Sequence, residues 1–292
     1  MKTALECLPC LLRQTLYAAR LSTASHEKQK KIMHNVSLLL PDLDFNSSPP
    51  QNSVTVYNEI ARLSGNNDPF ADLKKESNEF ALQIKKEAQT TISNSDDPLY
   101  AALLFSIAGN IIDYGSQQDF DVHQALEDCL TKKPVIDDYD KFRKDISSAG
   151  SVLYLGDNCG ELVFDSLVIE QLPQKVTFAV KEKPIINDAL LQDAIDCGLD
   201  ELCTIISNGT NCPGTPLENC SQAFLEHFNN ADIIISKGQG NFETLSEVSK
   251  PIYFLLTVKC PVVGKHITDL SGQTVQTGEM VLMKNTQTAP ER

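Results

Sequence analysis

The chain has 292 residues, of which 41% are hydrophobic, and this suits one large or two modest globular domains. Its 39 acidic and 25 basic residues give a formal net charge of −14, which disfavours a nucleic-acid partner because such partners are held through Lys and Arg contacts to phosphate. No apolar run reaches the roughly 18 residues that a membrane span needs, so no membrane partner is expected.

The N-terminal segment MKTALECLPCLLRQ predicts a cytoplasmic protein. Glu6 and Arg13 interrupt its apolar residues, and it lacks a clear signal-peptide cleavage region. The chain holds nine cysteines, an odd number spread along its length, which favours reduced thiols over a disulfide framework.

Cys7 and Cys10 form a Cys-x-x-Cys pair within this segment. A zinc site of this type needs a second pair, and the other cysteines provide none at the right spacing. On one helix the two thiols would share a face, so simple burial is favoured, with a redox or metal role as the open alternative.

The first 145 residues predict a multihelical domain. Leucines recur at helical spacing over residues 5–16, and similar patterns occur near residues 57–61 and 80–84. The segment NSSPPQNS (46–53) predicts a loop, and residues 96–115 form the most apolar helix candidate.

Residues 146–292 have a different pattern, with short β-rich runs separated mostly by helical stretches. The runs occupy residues 151–155, 175–180, 203–206, 232–236 and 252–258, with a weaker one at 280–283. This alternation predicts an α/β domain with a mainly parallel sheet and helices on both of its faces.

Polar residues follow five of the predicted strands in succession. They are Asp157 and Asn158, then Lys181, Lys183 and Asp188, then the segments SNGTNCPGT and SKGQGNFE, and finally Lys259. Ligands of open α/β sheets bind outside the carboxyl ends of the strands, so these residues are expected to share one rim.

Asp157, Asn158 and Asp188 form an all-oxygen set that predicts a metal site. Two carboxylates and one amide oxygen suit Mg²⁺ or Mn²⁺ and leave positions for water and a substrate phosphate. Either aspartate alone would more readily be a helix cap, but their occurrence on one rim favours a site. Such a cation would polarise a phosphoryl oxygen and lower the pKa of a water.

The segment SKGQGNFETL (236–245) contributes a second set of candidates. Lys237, together with Lys259, would neutralise phosphate oxygens, and backbone N–H groups around Gly238 and Gly240 would add donors. The third glycine of a dinucleotide fingerprint is missing here. Asn241 either caps the following helix or belongs to the phosphate cradle.

Seven segments in chain order resemble the damage-control phosphatase family of metal-dependent phosphatases, especially its smaller archaeal and bacterial branch with an N-terminal Cys-x-x-Cys. They read ECLPCLLRQ, NDPFADLKKESN, AGNIIDYG, GDNCGELVFD, VKEKPIINDA, SKGQGNFE and LLTVKCPVV. The resemblance implies a helical domain joined to a Rossmann-like α/β domain. It also implies a divalent cation (Mn²⁺, Mg²⁺, Co²⁺ or Ni²⁺) at their junction.

The resemblance assigns roles to individual residues. The family's metal-binding Asp-Asn pair falls on Asp157 and Asn158, its third ligand on Asp188, and its phosphate-binding lysine on Lys259. The implied substrate-binding residues are Lys237, Gly238, Asn241 and Glu243 from SKGQGNFE, and Asn110 and Asp113 from the GN-x-x-D motif.

These roles imply hydrolysis of a small phosphomonoester, either a sugar phosphate or a damaged or excess phosphometabolite. Attack by water and attack by Asp157 are both left open. One alternative is a transferase with a nucleoside cofactor such as S-adenosylmethionine, because YLGDNCGE resembles a glycine loop; Val180 and Lys181, however, stand where a ribose-binding acid is needed. A non-catalytic metal or redox sensor built on Cys7 and Cys10 is the third hypothesis.

Overall fold

A computed structural model of the protein describes residues 1–109 and 122–285. Its helices are α1 (Cys7–Ser22), α2 (His26–Leu39), α3 (Pro49–Ser64), α4 (Ala71–Ser93), α5 (Pro98–Ala108), α6 (Val122–Thr131), α7 (Tyr139–Ser148), α8 (Glu161–Ile169), α9 (Leu191–Asp196), α10 (Gln222–Asn230), α11 (Gly238–Leu245) and α12 (Pro261–Ser271). None of the helices in these two ranges combines the length and apolarity that a membrane crossing requires.

The described strands form one seven-stranded sheet in the order β1-β7-β6-β5-β2-β3-β4. They are β1 (Ile136–Asp137), β2 (Ser151–Leu155), β3 (Lys175–Val180), β4 (Thr204–Ser207), β5 (Ile233–Lys237), β6 (Ile252–Thr257) and β7 (Met280–Lys284). Only the β6–β7 pair is antiparallel. The mainly parallel sheet confirms the predicted fold class.

The central strands are apolar along their length because helices cover both faces of the sheet. Every residue of β5 is buried, and its sequence is IIISK. On one face, Tyr154 of β2 packs with Leu103 of α5 and Phe164 of α8. On the other, the neighbouring Leu153 packs in a cluster with Phe242 of α11. Successive residues of one strand therefore supply two separate cores.

Helices α1, α2 and α3 form a third apolar cluster, which includes Leu11, Ile32 and Val56. The predicted division at residues 145 and 146 stays a prediction. One strand ahead of it, β1, already pairs in parallel with β7 of the sheet. A strand of two residues is too short to leave a periodic pattern in the sequence.

The sheet has a topological switch point between β2 and β5. From β2 the chain continues to β3 and β4 on one side, then returns to β5 on the other side of β2. Connections leave these two neighbouring strands in opposite directions, which opens a crevice at their carboxyl ends. The segments after β2 and β5 contain Asp157 and Gly238.

The helical layer holds the turn that follows β2. Gly160 has a φ of +79°, and its N–H donates to Asn78 Oδ1 of α4 at 2.6 Å. A Cβ at Gly160 would lie 3.2 Å from Ser77, so α4 packs directly on this turn. The motif NDPFADLKKESN thereby fixes the entry to α8.

Replacing Asn78 by Ala is expected to lower the free energy of unfolding by about 1–3 kcal/mol, because the buried Gly160 N–H loses its acceptor. Urea unfolding followed by circular dichroism measures this. Asn229, exposed near the end of α10, provides the control, and Asn229→Ala should change stability by less than about 0.5 kcal/mol. Equal losses of stability in the two variants would contradict a stabilising hydrogen bond between Asn78 and Gly160.

Candidate functional site

The loops that follow β2 and β3 are joined by backbone pairing. Asn158 and Asp188 form an antiparallel bridge. Cys159 N–H donates to Asn187 O, and Ala189 N–H donates to Asp157 O, each at 2.9 Å. The structure therefore brings together the three predicted metal ligands, although Asp188 lies about thirty residues after Asp157 and Asn158 in the sequence.

All three side chains are buried, and one carboxylate oxygen among them has no hydrogen-bond partner. Asp188 is 2% exposed, and its Oδ2 accepts no hydrogen bond from any described residue. Lys181 Nζ lies 3.6 Å from that oxygen. Burial raises the pKa of Asp188; the charge of Lys181 lowers it and that of Asp157 raises it again.

Asp157 has a similar environment. Burial raises its pKa first and the charge of Glu161 raises it further, while Lys259, Lys181 and Lys237 oppose the shift. Several carboxyl groups therefore lie close together where the two loops meet.

Buried carboxyl groups outnumber buried ammonium groups in this region. Five carboxyl groups are buried (Asp157, Glu161, Asp165, Asp188 and Glu243), and the buried lysines beside them are Lys181 and Lys237. A divalent cation would add positive charge here, and its preferred ligands are oxygens. The residues present therefore fit such a cation. Within the described chain, no group of three or more His, Cys, Asp or Glu side chains is arranged for a metal, and the set here has two carboxylates and an amide.

The amide of Asn158 has a defined orientation. Its Nδ2 donates to Asp157 Oδ2 at 2.9 Å and to Glu161 Oε1 at 2.8 Å. Both acceptors are carboxylates, so the NH₂ must face them and the amide oxygen lies on the other side of the group.

Lys237 lies inside the protein with 1% of its side chain exposed. Its Nζ donates to Glu161 Oε2 at 3.0 Å and to Asp165 Oδ1 at 2.9 Å. Burial lowers the pKa of Lys237, but the two carboxylates outweigh that and raise it above its ordinary value. The sequence predicted that this lysine binds phosphate. The described contacts instead commit its ammonium to the interior.

Glu161 and Asp165 are missing from the predicted site, and Lys181 was expected on the rim without a role of its own. A signal was present for the first two, since they lie four residues apart in the otherwise apolar helix sequence ELVFDSLVI. Charged residues on a fully buried helix need partners. Lys181 directly follows β3, and its Nζ donates to Gly214 O at 2.7 Å.

Gly238 begins α11 directly beside Asp157. Its φ is +76°, and a Cβ at this position would overlap the Asp157 carboxylate. Asn241, one turn later, is fully buried; its Nδ2 donates to Gly156 O at 3.1 Å and to Lys237 O at 2.8 Å, and its Oδ1 accepts from Thr215. Asn241 thus ties the turn after β2 to the turn after β5.

Glu243 and Lys259 lie on either side of Gln239. Gln239 Nε2 donates to Glu243 Oε1 at 3.0 Å, and Gln239 Oε1 accepts from Lys259 N–H at 2.8 Å. Lys259 is exposed, and its charge lowers the pKa of Asp157. This predicted phosphate-binding lysine therefore lies at the solvent side of the crevice. Asn110 and Asp113 lie outside the described residues.

Cys7 and Cys10 lie near Glu243 of α11 and near Cys260. Burial raises the pKa of both thiols, and the charges of Glu243 and Cys260 raise both further. All nine cysteines are free thiols in the structure. A raised pKa disfavours the thiolate that redox chemistry and metal binding need.

The fold and the polar residues at its switch point define an α/β protein with an acidic, oxygen-lined crevice. A family model, the damage-control phosphatase ARMT1-like domain, matches residues 3–275. The chain therefore belongs to the damage-control phosphatase family. This membership supports a role as a phosphatase, that is, as a hydrolase that acts in metabolite repair.

Named relatives are similar over nearly the whole chain. Damage-control phosphatase PH1575 of Pyrococcus horikoshii is 35% identical over 98% of this chain and 99% of its own. A damage-control phosphatase of Archaeoglobus fulgidus is 32% identical over 96% and 98%. The crystal structure of PH1575, described as a DUF89 family protein, has a TM-score of 0.89 and covers 98% of this chain and 100% of its own.

Replacing Gly238 by Ala is expected to destabilise the protein more than replacing Gly272 by Ala. Both glycines have positive φ, +76° and +73°, but only at Gly238 does a Cβ meet another atom, the Asp157 carboxylate. Backbone strain costs about 1–3 kcal/mol in each case, and the overlap adds about 1–3 kcal/mol at Gly238 alone. Urea unfolding of the two variants compares them directly, and equal losses would refute the close approach.

Glu243 makes the stability of the metal-free protein depend on pH. Burial raises the pKa of this carboxyl to about 7. The contribution of Glu243 to the free energy of unfolding is therefore full below the unfolded-state pKa of about 4.3, and it is lost as the pH rises to about 7. Glu243→Gln cannot ionise, so relative to wild type it should gain up to about 3 kcal/mol between pH 4.5 and pH 8. Urea midpoints at both pH values test this; a gain that does not change with pH would exclude an ionising Glu243.

Proposed function

We propose that the protein is a metal-dependent phosphatase that hydrolyses small phosphomonoesters, either sugar phosphates or damaged or excess phosphometabolites. A divalent cation (Mn²⁺, Mg²⁺, Co²⁺ or Ni²⁺) would be held by Asp157, Asn158 and Asp188. The buried Asp188 Oδ2, which has no hydrogen-bond partner among the described residues, carries this proposal. A bound cation would give this oxygen a direct contact closer than that of the Lys181 ammonium at 3.6 Å.

The surrounding chain would bind and orient the phosphate. When bound, the cation would supply a positive charge that polarises a phosphoryl oxygen and lowers the pKa of a water. Lys259 would reach the remaining phosphate oxygens from the exposed side of the crevice. Gly238 places the N-terminus of α11 beside Asp157, and the free N–H groups and positive dipole end of a helix favour an anion there.

The remaining predicted substrate-binding residues would act mainly by shaping the crevice. Asn241 holds the turns after β2 and β5 together, and Glu243 holds Gln239, which accepts from the backbone of Lys259. Asn110 and Asp113 are proposed, on the family resemblance alone, to bring the helical part of the chain to the substrate.

A nucleoside-cofactor transferase is not favoured. The relatives named by function are phosphatases. At the end of β3, where a ribose would need an acidic partner, the structure has the buried ammonium of Lys181.

Phosphate release from p-nitrophenyl phosphate and a panel of sugar phosphates tests the proposal. Metal-stripped protein should be inactive, Mn²⁺, Co²⁺, Ni²⁺ or Mg²⁺ should restore activity, and Asp157→Ala should not respond to metal. Lys259→Met should lower kcat/KM by about 10–100-fold, mostly through KM, because a charged hydrogen bond to phosphate is lost.

Lys265→Met is the matched control for Lys259→Met. Lys265 is an exposed lysine of α12 that pairs with Asp269 at 2.6 Å, away from the crevice. It should leave kcat/KM unchanged. If no metal raises wild-type activity above that of Asp157→Ala, hydrolysis of these esters is excluded.

A further inference from the structure

A continuous chain of buried contacts leads from β5 to the amide of Asn158. Lys237 Nζ donates to Glu161 Oε2 at 3.0 Å, and Glu161 Oε1 accepts from Asn158 Nδ2 at 2.8 Å. The two oxygens of one carboxylate are thus divided between an ammonium and an amide. The exposed fractions of the Lys237 and Glu161 side chains are 1% and 3%, so water does not compete for these contacts.

An asparagine amide can bind a hard cation only through its oxygen, because its NH₂ nitrogen has no free lone pair to donate. Its two ends have nearly the same shape, so packing alone does not decide which end faces a ligand. Hydrogen-bond partners must decide it. At Asn158 the partners of the NH₂ are Asp157 and Glu161.

We infer that Glu161 and Lys237 are positioning residues that fix the Asn158 amide with its oxygen toward the metal. This inference rests on the proposed metal site. Asp157 accepts from the Asn158 NH₂ but is itself a proposed metal ligand. Glu161 is the other acceptor, and it is not a proposed ligand. Lys237 donates to one oxygen of Glu161 and Asn158 donates to the other, so both Glu161 oxygens are acceptors. The inference gives buried Lys237 a function different from direct phosphate binding.

Glu161→Gln provides a sharp test because it changes one oxygen to an NH₂ at nearly constant shape. The glutamine oxygen is retained by the Lys237 ammonium, so the new NH₂ faces the NH₂ of Asn158. Either two donors remain opposed, or Asn158 rotates and presents its NH₂ to the metal. In both cases Mn²⁺ affinity, measured by isothermal titration calorimetry, should fall by about 10–100-fold.

Asp165→Asn is the matched control. Asp165 Oδ1 accepts from the same Lys237 ammonium at 2.9 Å, and also from Ser106 and Tyr154, but no described contact joins it to Asn158. The same carboxylate-to-amide change should therefore lower stability while Mn²⁺ affinity stays near that of wild type. If Glu161 acted only in folding, Glu161→Gln and Asp165→Asn would lose Mn²⁺ affinity to the same extent.

A measurement on the wild-type protein keeps the inference testable if Glu161→Gln does not fold. In metal-free protein the side-chain amide protons of Asn158, assigned by their loss in Asn158→Asp, should exchange with water much more slowly than those of exposed Asn229. They should stay slow when Mg²⁺ is added, since the NH₂ faces away from the metal. Exchange as fast as that of Asn229 would overturn the inference.

The calorimetry also distinguishes failure of the proposed metal site from failure of the positioning role. Wild-type protein that binds no Mn²⁺ would overturn both the metal site and the positioning role. Wild type and Glu161→Gln with equal affinity would overturn the positioning role alone, and the proposed phosphatase would stand.

Discussion

The buried ion cluster around Lys237 is the constraint on which the rest of the site depends. Its ammonium joins β5 to two carboxylates of α8, with almost no solvent contact. Removing such charges from water costs several kcal/mol per ion, which only close partners offset. The cluster therefore fixes α8 against the sheet in one position. Because α8 begins just after the Asp157–Asn158 turn, the cluster also fixes the turn.

The site holds more buried carboxyl groups than buried ammonium groups. The Lys237 ammonium donates to Glu161 and Asp165, and Lys181 Nζ lies 3.6 Å from Asp188 Oδ2. The crevice thus concentrates buried carboxylates. Such an arrangement is typical of functional sites, and a divalent cation is the partner that we propose for it.

Three layers of the fold converge on the crevice. The sheet opens it at the switch point between β2 and β5. Asn78 of α4 holds the turn after β2 from the helical layer, and Asn241 of α11 holds it from the opposite side. Two motifs far apart in the chain, NDPFADLKKESN and SKGQGNFE, thus each contribute an asparagine to the same turn.

The sequence by itself determined the fold class and most of the strands. Runs such as IIISK are buried on both faces, and that continuous apolar pattern can be read locally. It also predicted that Asp157, Asn158 and Asp188 lie together, since polar residues at strand ends share a rim in any parallel sheet. The sequence did not predict the two-residue β1, because two residues are too few to show a periodic hydrophobic pattern.

Only the tertiary structure decided what each charged side chain does. The sequence treats Lys237 and Lys259 alike, as lysines that follow strands, yet one is buried among carboxylates and the other is exposed. Glu161 had no assigned role in the sequence because its partners, Asn158 and Lys237, come from different elements. Hydrogen bonds between distant residues depend on how elements pack, and local sequence patterns do not encode that packing.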